Sequence, residues 1–142
     1  MIDIKNGGII LNINNFLIKK GLKKDEFEKS NLLSEVLNCQ TYGFTSYFLK
    51  PQLIGNDSFS IVLYFNQEDI IDFVNLSLTC NDSSMTWNNW SEKKELKKKN
   101  EHDKWLLNNV GKPPYKYFWG EVSSNYDPRS GSSIITIRYY NQ

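Results

Sequence analysis

From Tyr42 onward the chain alternates apolar and polar residues with a period of two, and no other feature constrains its fold as strongly. In "SFSIVLYF", Phe59, Ile61, Leu63 and Phe65 share one side of an extended chain. In "DFVNLSLTC", Val74, Leu76, Leu78 and Cys80 oppose Asn75, Ser77 and Thr79. Side chains change face at every step along a strand, so this alternation predicts a sheet with one buried and one wet face. "TSYFLKPQLIG" is a third strand of the same kind. Its Pro51 has no N–H to give to a ladder and predicts an edge or a bulge. "GNDS" at 55–58 and "NQED" at 66–69 supply the turns, which makes the three strands antiparallel neighbours.

The period then changes. Ser91 to Val110 has the marks of a helix, with Ser91 as cap, Glu92 in the first turn, and Gly111 followed by Pro113 and Pro114 as the stop. At about 100° per residue, Leu96, Leu107, Val110 and, at its edge, Leu106 form one stripe, expected to lie on the sheet. Asp103 falls on that stripe and needs a partner, either Arg129, Arg138 or backbone N–H groups of the C-terminal hairpin. Trp105 projects to the opposite, polar side, so either a loop covers it or it belongs to a contact surface. "KYFWGEVSSNY" and "SSIITIRYY" close the chain as a pair of strands, and "NDSSMTWNN" is a connecting loop. Earlier, Ile9 to Ile13 is an edge strand or a helix entry, and Asp25 to Leu37 a short irregular or helical segment. The expected architecture is a single α+β domain over 1–142: an antiparallel sheet of about five to six strands with one main helix, about 91–110, packed on one face.

Charge and motif content restrict function mainly by exclusion. With 17 basic and 16 acidic side chains the net charge is +1, too little to steer a polyanion, so nucleic acid is not an expected partner. Asp3, Asn6, Asn12, Asn14 and Asn15 interrupt the first apolar run, which argues against a membrane or targeting segment and for the cytoplasm. Cys39 and Cys80 are too far apart for a metal-ligand pair and are expected as small buried or half-buried residues. His102, the single histidine, has no acidic or cysteine partner at a familiar spacing, and no phosphate-binding or nucleophile motif occurs. Neither a catalytic set, a metal nor a cofactor is expected. The lysine run 93–99 is either a basic stripe able to touch phosphates or, with its glutamates and no stacking aromatics beside it, a solvated helix face with Glu95 pairing Lys99. Glu68, Asp69 and Asp72, with Asp57, are either solvated turn residues or a docking patch for a basic partner.

The last turn, "YDPRSG", is explained by hairpin chemistry: Asp127 accepts backbone N–H bonds, Pro128 fixes φ, and Gly131 takes the left-handed conformation. Arg129 has no part in that account. It turns inward to Asp103 or outward to a partner.

The string "EHDKWLLNNVGKPPYKYFWGEVSSNYDPRSGSSIITIRY" resembles a tail of small bacterial immunity proteins of contact-dependent growth inhibition and related polymorphic toxin systems. The shared elements are His102, Asp103, Trp105 and Leu106 leading to Gly111, then Trp119-Gly120, then Tyr126-Asp127 with Arg129-Ser130-Gly131. The resemblance implies a cytoplasmic, non-enzymatic α+β protein that binds the toxin domain of a cognate effector and blocks it stoichiometrically. His102, Asp103, Trp119, Gly120, Asp127 and Gly131 would then support the fold, and Glu68, Asp69, Asp72, Trp105 and Arg129 are the candidates for partner contact. The alternative is a small-ligand-binding protein or enzyme whose site lies where Asp103, His102, Trp119 and Arg129 converge beneath the final hairpin.

Overall fold

The computed structural model describes residues 2–79 and 92–140. Strands β1 (Ile2–Asp3), β2 (Gly8–Leu11) and β3 (Phe16–Ile18) form a small antiparallel sheet, followed by the short helix α1 (Lys24–Glu28) and a 3-10 turn at Asn31–Glu35. The main sheet holds β4 (Val36–Thr41), β5 (Thr45–Ile54), β6 (Asp57–Phe65) and β7 (Ile71–Leu78). After helix α2 (Glu92–Asn109) it adds β8 (Lys116–Tyr117), β9 (Gly120–Asp127) and β10 (Ser132–Tyr139). Its order is β4-β5-β6-β7-β10-β9-β8, antiparallel throughout.

The fold is α+β with one main helix, but the sheet system is larger than the expected five to six strands. Seven strands make the main sheet and three more the small one. The excess comes from the first 41 residues and from Lys116–Tyr117, which separates from β9; these strands are two to six residues long and too short to display a period. Ile9 lies in a strand, and the 25–37 segment divides into α1, the 3-10 turn and the start of β4. Pro51 sits at a register shift between Leu49 and Gln52, beyond the last β4 partner at Val36↔Leu49, so the ladder asks no N–H of it, as anticipated.

Phe59, Ile61, Leu63, Phe65, Val74 and Leu76 all face the core, where Ile135, Ile137 and Tyr139 of β10 continue the layer. Two bodies cover this face. Residues Ile9, Leu11, Ile18 and Phe27 cover the half near β5, with the Phe27 ring 4.8 Å from Tyr47 and 5.9 Å from Phe65. Helix α2 covers the half near β9 and β10.

The helix presents a different stripe from the one expected. Leu96 and Leu107 are exposed, and the buried residues are Glu95, His102, Trp105 and Leu106. This stripe is turned by one residue, about 100°, from the leucine stripe. Polar partners on the sheet decide the rotation. The Glu95 carboxylate accepts the Ser133 N–H at 3.1 Å, and the Ser133 hydroxyl donates to the Glu95 carbonyl at 2.5 Å. His102 Nε2 accepts the Leu78 N–H at 3.0 Å, and Trp105 Nε1 donates to Asp57 at 3.0 Å. Glu95 pairs with Lys98 at 3.5 Å rather than with Lys99. The expected cap Ser91, the loop 81–89 and Cys80 lie outside the described residues.

Trp105 is therefore a core residue, packed edge-on against Phe59 at 4.9 Å. Replacing it by Phe keeps most of that contact and removes the bond to Asp57. A loss of about 1–2 kcal/mol in urea unfolding is expected, with a coupling of about 1 kcal/mol in the double-mutant cycle with Asp57→Ala.

Candidate protein-binding face

The second face of the main sheet carries the residues that alternate with the core set. Phe48, Val62, Tyr64, Phe73, Asn75, Ile134 and Thr136 are half-exposed on it, and Arg138 is exposed. Its densest part is the end where the β4–β5 turn and the β6–β7 turn lie side by side. There Phe44 stands 6.0 Å from the Tyr64 ring, and Tyr64 stacks on Phe73 at 4.1 Å with the planes 17° apart. The Arg138 guanidinium lies 4.5 Å over the far side of Phe73 and 3.9 Å from Asp72.

The local sequence makes this cluster. The pairing Tyr64↔Phe73 sets the two rings opposite each other, and Arg138↔Phe73 sets the guanidinium beside them. A register shift between Tyr64 and Phe65 leaves Asp72 without a pair, which frees it to lean toward Arg138. Burial raises the Tyr64 hydroxyl above the ordinary phenol range, partly offset by Asn75, so it stays a neutral donor at any physiological pH. A recess of about 280 Å³ opens between Phe44, Tyr64 and Phe73.

The residues singled out in the sequence are not one surface. Of Glu68, Asp69 and Asp72, Asp72 lines this recess, while Glu68 and Asp69 belong to the adjoining β6–β7 turn. Glu68 is exposed in the turn, and Asp69 takes a left-handed φ of 61° and lies 3.7 Å from the Lys24 ammonium. Arg129 is exposed at the tip of the β9–β10 hairpin, at the opposite end of the sheet, turned neither to Asp103 nor toward the acidic group. Trp105 is buried on the other face. Cys39, expected to be at least half-buried, is exposed.

Nor do Asp103, His102, Trp119 and Arg129 converge. Trp119 precedes the Tyr139↔Gly120 pair and Arg129 follows the Ser132↔Asp127 pair, so a hairpin of about 23 Å separates them. Asp103 is bound to Lys99 at 2.7 Å on its own helix, in place of Arg129 or Arg138. Partial burial pushes its carboxyl up, but the Lys99 ammonium and the Ser124 hydroxyl hold it below its usual value. A groove of about 620 Å³ runs past this pair between α2 and β9.

The remaining motif residues are structural in their contacts. Trp119 Nε1 donates to the Ile4 carbonyl at 2.8 Å, and its ring stacks on Tyr117 at 5.1 Å. Asp127 receives the Arg129 N–H on its carboxylate and the Gly131 N–H on its carbonyl, with Gly131 at φ 69°, as the turn chemistry required. Sequence reasoning missed Phe44, Tyr64, Phe73 and Arg138. The available signal was that Val62 and Tyr64 fill wet-face positions of "SFSIVLYF" with apolar and aromatic side chains.

Among the described residues no group of acidic, cysteine and histidine side chains is arranged to hold a metal ion, and no helix is long and apolar enough to cross a membrane. No family model, curated protein or solved structure matches this chain.

Proposed function

We propose that the protein is an immunity protein that neutralises a cognate toxin domain by stoichiometric binding, and that it binds through the aromatic end of the open sheet face. The observation that carries this reading is the Phe44, Tyr64, Phe73 and Arg138 cluster. It has the composition of an interface centre, aromatic rings with an arginine, with Asp72 at its edge and Glu68 and Asp69 in the adjoining turn. Such rings stacked at a sheet surface are rigid before binding, so little side-chain entropy opposes their use as anchors. The rim is mixed in sign, with Arg138 and Lys24 among the carboxylates, and this suits a toxin surface of mixed charge better than a strongly basic one.

The test is co-expression with the C-terminal domain encoded by the neighbouring upstream gene, followed by co-purification and a growth assay. A one-to-one complex and protection of the cells are expected. Phe73→Ala and Glu68→Lys each weaken the complex, the first by tenfold or more, while Arg129→Ala leaves it unchanged. Absence of both complex and protection ends the immunity reading. Loss of binding in Arg129→Ala alone moves the interface to the hairpin tip.

A further inference from the structure

Among the described residues no strand pairs with the outer side of β4, and the chemistry of this edge is unusual for an exposed one. Proteins ordinarily blunt such edges with lysine, proline or very short strands. The opposite edge follows that rule, since β8 is two residues long and begins with Lys116. Strand β4 has six residues, of which all but Val36 are exposed, and from Val36 to Leu49 the chain contains no charged residue although 23% of the whole chain is charged. The Asn38 side chain accepts the Cys39 N–H at 2.9 Å, which turns that N–H away from β5 and toward the outer side. Leu37 and Tyr42, 65% and 79% exposed, lie on either side of the regularly paired segment Asn38–Thr41.

We infer that β4 pairs antiparallel with β4 of a second copy of this chain, joining two seven-stranded sheets across a two-fold axis near Cys39. A two-fold axis brings every residue against the same surface of the partner, so a charged edge would oppose itself. An edge without charge does not. An axis at Cys39 sets the outward backbone groups of Cys39 opposite those of Cys39 in the second copy, and the outer backbone groups of β4 gain partners. A register shift at Leu37 limits the regular pairing to Asn38–Thr41 and its flanks, so the association is expected to be of micromolar strength. The inference stands apart from the toxin reading, because it requires only a second copy.

Sedimentation equilibrium of the full chain reads the outcome directly. A monomer–dimer equilibrium is expected between about 1 and 100 μM. Cys39→Lys sets two ammonium groups near the axis and shifts the equilibrium tenfold or more toward monomer, while Cys39→Ser behaves as the parent does; circular dichroism checks that both are folded. A parent chain that stays monomeric at a few hundred micromolar, or a Cys39→Lys variant as dimeric as Cys39→Ser, overturns the proposal. Should Cys39→Lys not fold, a short bismaleimide applied to Cys80→Ser protein decides. Dimers linked through Cys39, at a yield rising with concentration, support the pairing, and their absence refutes it.

Discussion

Gly120→Ala is expected to cost about 3 kcal/mol or more, enough to leave a large part of the chain unfolded at 37 °C. A Cβ at this position would stand 2.0 Å from the Arg138 carbonyl oxygen and 3.0 Å from Tyr139 Cα. Both are backbone atoms of β10, paired to Gly120 in the ladder, so no side-chain rotation relieves the overlap. The strands must separate where they are most heavily loaded. Trp119 and Tyr139 are almost fully buried there, and the Tyr140 N–H donates to the Trp119 carbonyl at 2.8 Å. Tyr139 also reaches across to donate its hydroxyl to the Gly7 carbonyl at 2.9 Å, which ties the small sheet to the same point. Gly55→Ala is the comparison. Its Cβ meets nothing within 4 Å and the cost is only that of a φ of 64°, about 1 kcal/mol. Urea or thermal unfolding of the two variants should therefore differ severalfold in destabilisation, and equal losses would remove the steric account of the Trp119-Gly120 motif.

The contrast between strands and helix shows what the residue pattern can reveal. Phe59, Ile61, Leu63 and Phe65 announce their buried face because a sheet core is apolar at every second position, and the pairing with Val74 and Leu76 follows from the two turns. The N-terminal strands are hidden by their brevity. Helix α2 misleads for a different reason. Its buried stripe, Glu95, His102, Trp105 and Leu106, is half polar, and hydropathy ranks Leu96 and Leu107 above it. Glu95 and His102 face inward because sheet N–H groups at Ser133 and Leu78 need acceptors, a requirement that only the assembled fold displays. Asp103 lies on the leucine stripe, which faces out, so its half-exposed carboxylate is under no demand from a buried face, and it pairs with Lys99, one helical turn away, and not with an arginine of the hairpin.

The candidate binding face was less legible. Glu68, Asp69 and Asp72 can be read as one charged group because they are neighbours in sequence, and Asp72 lines the aromatic recess. Tyr64, Phe73 and Arg138 come from three strands, and only the order β6-β7-β10, with β10 reaching β7 after an intervening helix and hairpin, sets them side by side. Arg129 drew notice because the turn chemistry left it unexplained. It stands exposed at the far tip of the sheet, away from this cluster.

His102 gives the chain a pH dependence that a single substitution should remove. The side chain is fully buried with Nε2 accepting from Leu78, so a proton on that nitrogen would break the bond. Burial, assisted by the nearby Lys98 and only weakly opposed by Asp103, pushes its pKa from 6.5 down to about 4. The unfolded chain thus binds a proton between these values that the native state does not. Stability is complete above pH 6.5 and falls as pH drops from 6.5 to 4, by about 2–3 kcal/mol. His102 is the one histidine of the sequence, so this window is nearly free of other titrating side chains until the carboxylates are reached. His102→Gln should be less stable than the parent at pH 7.5, because the Leu78 N–H is less well met, yet its stability should hardly change down to pH 5. Urea midpoints of the two proteins across pH 7.5 to 4.5 should converge as pH falls. Parallel curves would mean that His102 is protonated in the folded protein and that Leu78 finds its acceptor elsewhere.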